Sequence, residues 1–329
     1  MRRVRLGDGI RFDLTSGETV VCDGERSADG VRVLSHAHGD HLYREDPGAV
    51  ICSDVTAALA RTRREETPLE RTTHPAVDLH NAGHVPGSRA VEITDSDGTT
   101  YLYTGDCSTR DRFYLEGFDP DVLDVDVLVV EATYGEPEYV LPPQETVETD
   151  IVDWLDDTDE QPVLMFGYTL GRAQEIQVLA NRSSRDRLFV TRATERINEV
   201  VEDHYDVEFD ARRYREDTDL GAGDVLVLPS QTSKLSFVDA LVREYDAIKA
   251  GFSGWAIDDS FQYRGDYDVT FPLSDHCDFT ELVDVVRGVD PDLVYTQHGS
   301  AAELATHLEI VEDYEAYPLV RNQRSLGDF

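Results

Sequence analysis

The stretch Leu34-Ser35-His36-Ala37-His38-Gly39-Asp40-His41-Leu42 decides how this chain is read. The apolar run before it, Val31 to Leu34 with Arg32 interposed, reads as a buried strand. Strand alternation turns His36 and His38 to the same side, so two imidazoles can converge on one metal ion. Gly39 allows a sharp turn. Asp40 and His41 leave that turn in diverging directions, which suits a second ion close by. Three histidines and a carboxylate within six residues make a nitrogen and oxygen donor set fit for zinc or manganese. A polar loop with a chance cluster of histidines is the bland alternative. With only ten histidines in 329 residues, such crowding favours the metal.

Working outward, three further stretches carry liganding chemistry. His84 stands between Gly83 and Pro86-Gly87, a tight turn able to aim one imidazole into a cleft. A lone loop histidine is usually just solvated, and this one gains weight because a two-metal site needs a further nitrogen. The strand Tyr101-Leu102-Tyr103 runs into Thr104-Gly105-Asp106, whose two carboxylate oxygens can bridge ions at the ~3.5–4 Å spacing of two-metal hydrolases. Taken alone, Asp106 reads as a turn aspartate. The apolar strand Asp126 to Val130 delivers Glu131, and a carboxylate at a buried strand end is costly unless it is paired or orients something.

From Glu131 to Asp275 the pattern changes. Pro162 to Tyr168, Arg187 to Thr191, Asp224 to Pro229 and Ala247 to Phe252 read as strands, alternating with helical segments Leu170 to Ala180, Ala193 to His204 and Leu235 to Tyr245. That alternation predicts a small parallel-sheet domain inserted into the first. The expected division is residues 1–140, an insert over 141–255, and a closing part over 256–329. Two strand-to-helix junctions of the insert, at Gly171-Arg172 and at Ser230, Thr232, Ser233 and Lys234, suit phosphate at a helix N-terminus. Ordinary capping explains the same residues equally well. Earlier in the chain, the helix Asp54 to Arg64 is expected to begin on an aspartate cap.

Composition bounds the rest. The length allows one large domain or two of ordinary size. Met1-Arg2-Arg3-Val4-Arg5 is basic but no apolar core follows, and no run approaches membrane-spanning length, so a soluble cytoplasmic protein without membrane contact is expected. Cys22, Cys52, Cys107 and Cys277 have no paired spacing and are expected as buried thiols, Cys107 facing the core. The net charge is −37, its carboxylates are dispersed, and of 30 basic side chains only Lys234 and Lys249 are lysines. That balance suits a salt-rich cytoplasm, where the charge describes the solvent more than the partner. A metal cleft can be locally positive on such a chain, so an anionic substrate is not excluded.

In order and approximate spacing, His36, His38, Asp40 and His41, then His84, then Asp106 resemble the signature of the metallo-β-lactamase superfamily. Glu131-Ala132-Thr133-Tyr134, Ser274-Asp275-His276-Cys277-Asp278 and His298-Gly299 look like the A, B and C motifs of its β-CASP nuclease branch. Gly171-Arg172-Ala173-Gln174-Glu175 is similar to a common sequence of that branch's inserted domain. The resemblance spans nearly the whole chain. It implies an α/β fold, an αββα sandwich carrying a β-CASP cap domain. The compact length and Leu273 to Phe279 look most like DNA-ligase-associated exonucleases, and archaeal mRNA 3′-end processing factor-like proteins fit as well. Asp275 and Cys277 depart from the small residues usual beside His276, and Ser300 stands where Glu is frequent. His298 is kept by RNA-cleaving and ligase-associated members alike, so it does not separate DNA from RNA.

The resemblance further implies one ion held by His36, His38, His84 and Asp106, and another by Asp40, His41, His298 and the shared Asp106, with zinc ahead of manganese. Asp40, His276 and Glu131 would carry catalysis, His276 at the scissile phosphate or leaving oxygen and Glu131 orienting it. The insert would wall a narrow groove suited to single strands. The expected activity is a two-metal exonuclease on single-stranded nucleic acid, DNA slightly ahead of RNA, in functional association with a DNA ligase. RNA 3′-end processing or ribonuclease J-like cleavage is the alternative, and a small-molecule metallohydrolase is the distant one.

Overall fold

A computed structural model describes residues 3–26, 29–65, 67 and 69–320. They form two compact units: one of residues up to Arg110, Glu116–Val140 and from His276 on, the other of Asp111–Leu115 and Leu141–Asp275. The first opens with β1 (Val4–Gly7), β2 (Gly9–Asp13), β3 (Thr19–Cys22) and β4 (Val31–Val33), which pair in that order into one sheet. The short β5 (Ala49–Val50), the helix α1 (Asp54–Arg63) and β6 (Glu70–Arg71) follow. The cap of α1 is Ser53, whose side chain accepts from the Thr56 amide, and the expected aspartate, Asp54, sits in the first turn instead. Either residue type can cap, and burial decides: the Ser53 hydroxyl also donates to the Gly87 carbonyl at 2.7 Å.

Next come β7 (Val77–Asn81), β8 (Arg89–Thr94), β9 (Thr100–Tyr103) and β10 (Val127–Glu131). They form a six-stranded sheet with two strands from the chain's end, whose parallel part is completed beside β10. Along β10 the side chains alternate between two cores. Val127 and Val129 meet the first sheet's Phe12, Val20 and Val33, while Leu128 and Val130 face helices. Buried on both faces, the strand reads as the unbroken run Val-Leu-Val-Val.

The second unit contributes α2 (Gln144–Asp157), β11 (Val163–Gly167), α3 (Arg172–Arg182), β12 (Arg187–Val190), α4 (Arg192–His204), β13 (Arg212–Arg213), β14 (Asp224–Pro229), α5 (Ser236–Tyr245), β15 (Ile248–Phe252), α6 (Ser260–Gly265) and β16 (Val269–Phe271). Its strands are all parallel, in the order β13-β12-β14-β11-β15-β16. The faces again alternate. Val163 and Met165 pack under Ile176 and Leu179 of α3, and Leu164 and Phe166 under Val238 and Leu241 of α5. The boundary expected at residue 255 is corrected to Asp275, because β16 pairs with β15. Three residues are too short a run to be assigned to a sheet by pattern. The helix α2 also escaped the reading: only Val147, Ile151 and Leu155 are buried in an acidic segment.

The chain then returns to the first unit with α7 (Phe279–Val289), β17 (Leu293–Gln297), α8 (Ala301–Ile310) and β18 (Ala316–Pro318). Leu282 and Val286 of α7 and Leu304 and Leu308 of α8 cover Leu128, Val130 and Val294. The last nine residues of the closing part lie outside the described ones. Among the described residues no helix is long and apolar enough to cross a membrane.

The second unit encloses charge. Glu175 is 1% exposed and paired with the buried Arg112, and it accepts from Arg172 at 2.8 Å; Arg172 also reaches Asp275 at 2.8 Å. Burial pushes the Glu175 carboxyl up, against the pull of the two guanidinium groups. Removing the shared acid takes a buried carboxylate from two buried cations, Arg112 and Arg172, the latter keeping Asp275. Glu175→Ala is expected to destabilise the chain by ~3–5 kcal/mol in chemical denaturation. A loss below about 1 kcal/mol would show the cluster to be dispensable.

Candidate metal centre

The segment after β4 folds tightly, with the amides of His41 and Leu42 both donating to the His38 carbonyl, at 3.2 and 3.0 Å. This turn gathers His36, His38 and His41, with the His36 and His41 rings 4.0 Å apart. His84 arrives on a loop that needs glycine: Gly83 has φ +67°, and a Cβ there would lie 2.2 Å from the Ser108 carbonyl oxygen. The Ser88 hydroxyl accepts from the His84 amide at 3.1 Å and fixes the loop's return. Asp106 follows β9 through Gly105, at φ +57°.

Ligand atoms of His36, His38, His84 and Asp106 all lie within 4.8 Å of one another. One oxygen of Asp106 stands 3.5 Å from His36 Nε2, 3.5 Å from His41 Nε2 and 3.7 Å from His84 Nε2. Two donors each ~2.1 Å from a shared tetrahedral ion are separated by roughly 3.4 Å, so these spacings suit ligation better than direct hydrogen bonding. His36 Nε2 is also buried without a hydrogen-bond partner, an orphan that a cation would satisfy. The residues therefore fit a metal on structural grounds.

Electrostatics agree for His36 and Asp106. Burial, reinforced by His41, lowers the His36 pKa well below its ordinary value despite Asp106, leaving a neutral ring with a lone pair to give. Burial also disfavours charge on Asp106, but His41 and His36 outweigh it and hold the carboxyl well below the usual range. Burial likewise opposes charge on His41, yet Asp106 and Asp23 raise it overall.

The other expected ligands are looser. Asp40, His41 and His298 line one cleft with Tyr103 and Gln297, and the His41 and His298 rings lie 5.7 Å apart. Among the described residues they do not form a cluster as tight as the first, and Asp40 and His298 are exposed. His298 follows β17 in the left-handed region at φ +61°, a conformation uncommon outside glycine.

Beside the cluster, His276 Nδ1 lies 2.8 and 3.0 Å from the two oxygens of Glu131, and its ring is 4.4 Å from that of His84. A carboxylate only accepts, so Nδ1 carries the proton and Nε2 is presented. Glu131 is fully buried and also accepts from the Cys107 amide at 2.8 Å. Cys107 and Cys277 sit in the core, Sγ to Sγ 3.8 Å.

Asp23 was not singled out from the sequence. It follows β3 at φ +55° and accepts from the Ser35 amide at 2.8 Å, the Ser35 hydroxyl at 2.6 Å, the Tyr103 hydroxyl at 2.9 Å and His41 Nδ1 at 2.9 Å. Through Ser35 Oγ, 3.0 Å from His36 Nδ1, it reaches a second imidazole. Its signal was the one used for Glu131, a carboxylate at the end of an apolar strand.

The expected phosphate contacts fare differently. Gly171 and Arg172 are buried, and the Arg172 guanidinium is committed to Glu175 and Asp275, so neither is a surface group. Gly171 instead takes a capping bond from its amide to Gln174 Oε1 at 2.8 Å. At the other junction Thr232 donates to the Pro229 carbonyl at 2.7 Å, Ser233 is buried, Ser230 is half-buried, and Lys234 is exposed.

No family model matches the chain. It is 33% identical over 308 residues to a protein named probable DNA ligase from Opitutus terrae, covering 89% of this chain and 29% of that protein. It is 35% identical over 214 residues to an RNase J-like protein of Methanocaldococcus jannaschii, covering 56% of this chain and 50% of the relative. The chain thus spans half or less of these relatives' own length. A protein of unknown function from Enterococcus faecalis shares the fold, with a TM-score of 0.58 and 11% identity over 90% of this chain and 81% of that one. A histidine and aspartate cluster at the ends of these strands, joined to that kinship, places the chain in the β-CASP branch of the metallo-β-lactamase family.

Proposed function

We propose that this chain is a two-metal nuclease acting on single-stranded nucleic acid, working from an end and favouring DNA slightly over RNA. The observation that carries the reading is the Asp106 oxygen ringed at 3.5–3.7 Å by His36, His41 and His84. His36, His38, His84 and Asp106 would hold one divalent ion; Asp40, His41, His298 and the shared Asp106 would hold the other, zinc or manganese by donor type. Such ions, when bound, lower the pKa of water to ~7 and neutralise charge on a phosphodiester.

The chain's own groups do the rest. Asp40 and Asp106 as ligands only partly offset two divalent ions, and the buried Asp23 and Glu131 beside them are shared with His41 and His276, so the ions can draw a phosphodiester although the chain as a whole is acidic. Asp23 holds His41 by Nδ1, leaving Nε2 toward Asp106. Glu131 holds His276 in the same manner, so that the opposite nitrogen can contact the phosphate or give a proton to the leaving oxygen. The inserted unit is the β-CASP cap, and a salt-rich cytoplasm is its setting. The name of the Opitutus relative supports DNA as substrate and a DNA ligase as functional associate. The name of the Methanocaldococcus relative favours the second reading, an RNA-processing nuclease.

The direct test is digestion of end-labelled single-stranded DNA and RNA at molar salt with Mn²⁺ or Zn²⁺. Stepwise loss of the DNA is expected, with His276→Ala slower by ~10²–10⁴-fold while its metal content is unchanged. Cleavage confined to duplexes, or inertness towards both strands, would overturn the reading. Separately, Asp23→Asn should weaken metal binding by ~10–100-fold in a chelator competition, since the His41 ring loses its orienting carboxylate. Unchanged affinity would leave Asp23 with a folding role only.

A further inference from the structure

Two loops of the second unit meet where its chain changes direction. β11 and β14 are neighbours, with Gly167 opposite Pro229 in the register. From β11 the chain crosses through α3 to β12, and from β14 it crosses through α5 to β15, on the other side of β11. The two helices lie on opposite faces of the sheet. Their entry loops therefore diverge at the carboxyl ends of adjacent parallel strands, which is where open α/β sheets take their ligands.

The side chains there are unusual for this surface. Tyr168, directly after β11, is 62% exposed, and Tyr263 on α6 is 78% exposed. The buried Tyr267 lies beneath this surface and joins β11 to α6: its ring is 5.6 Å from that of Phe166 and 5.6 Å from that of Phe261. Lys234, next to Ser233, donates from Nζ to the Tyr263 carbonyl at 3.4 Å. It faces solvent, whereas the chain's other lysine, Lys249, is buried against Asp266.

We propose that Tyr168, with Tyr263 and Lys234, forms a platform on which the bases of single-stranded nucleic acid stack. This rests on the nuclease reading and adds what holds the strand. A chain of net charge −37 gains little from general attraction to phosphates, and Asp266 partly offsets the one exposed lysine. Stacking on an aromatic face depends on neither, contributes for every base, and tolerates any sequence. The platform recognises the base and not the phosphate.

The test is fluorescence anisotropy of the full-length, metal-loaded protein with two phosphorothioate oligonucleotides of equal length and charge, one of thymidines and one abasic. Hydrolysis of bis(p-nitrophenyl) phosphate by the wild type is followed alongside. The wild type is expected to bind the thymidine strand about tenfold more tightly than the abasic one, the scale of one stacked base. Tyr168→Ala should remove that preference and Tyr168→Phe should keep it, because the ring does the binding. Tyr317→Ala, which alters an exposed tyrosine of the first unit, should behave as wild type. Equal binding of both strands by the wild type, or an undiminished preference in Tyr168→Ala, would overturn the platform. Absence of phosphodiester hydrolysis would instead count against the nuclease reading, while the base preference would still decide the platform.

Discussion

A carboxylate buried among imidazoles is the constraint on which this structure turns. Asp106 is 8% exposed, and a charge so placed persists only where cations or strong donors compensate it. The fold supplies that compensation from two places: three histidines, His36, His38 and His41, from the turn after β4, and a fourth, His84, from the glycine-bent loop at Gly83. Three adjacent parallel strands set the depth. β9, β10 and β17 run the same way, with Val129 opposite Tyr103 and Glu131 opposite Gln297. Asp106, Glu131 and His298 therefore emerge at neighbouring carboxyl ends, and a slip of register in any one strand would turn its side chain to the opposite face.

A single device recurs around this centre. Asp23 and Glu131 each end or follow an apolar strand, are buried, and grip the Nδ1 of one histidine, His41 and His276 respectively. Each also accepts backbone or hydroxyl donors, so the carboxylate is fixed before it fixes the ring. Imidazoles that could rotate freely would lose orientational entropy whenever they engaged a ligand; rings already pinned at one nitrogen do not. The cost of burying two acids is met by these bonds, which explains why such residues occur at strand ends, where the chain can no longer satisfy its donors within a sheet.

How much of this was legible in the sequence follows from the range of the contacts. His36, His38, Asp40 and His41 could be read together because one turn brings them together. His84 and Asp106 became legible only as complements to that turn. Asp23 lies 12 residues before Ser35, but its role depends on Tyr103 and His41, and sequence proximity does not mark it. Arg172 was misread for the opposite reason. A Gly-Arg pair at a strand-to-helix junction resembles an anion site, yet its partner Asp275 lies 103 residues away, and burial turns a surface cation into a core one. The limit of the insert failed similarly, since β16 is recognisable as a strand only by its pairing with β15.

The two donor sets are unequal in burial, His36, His84 and Asp106 enclosed and Asp40 and His298 exposed, and in the proposed scheme both would share Asp106, which His36, His41 and His84 approach at 3.5–3.7 Å. Metal analysis of the purified chain after exhaustive dialysis, wild type beside Asp106→Ala, tests that sharing directly. The account predicts about two divalent ions per wild-type chain and loss of both from the variant, which should remain folded by circular dichroism. A variant that keeps its full metal content would contradict it, as would a wild type that takes up no metal at all.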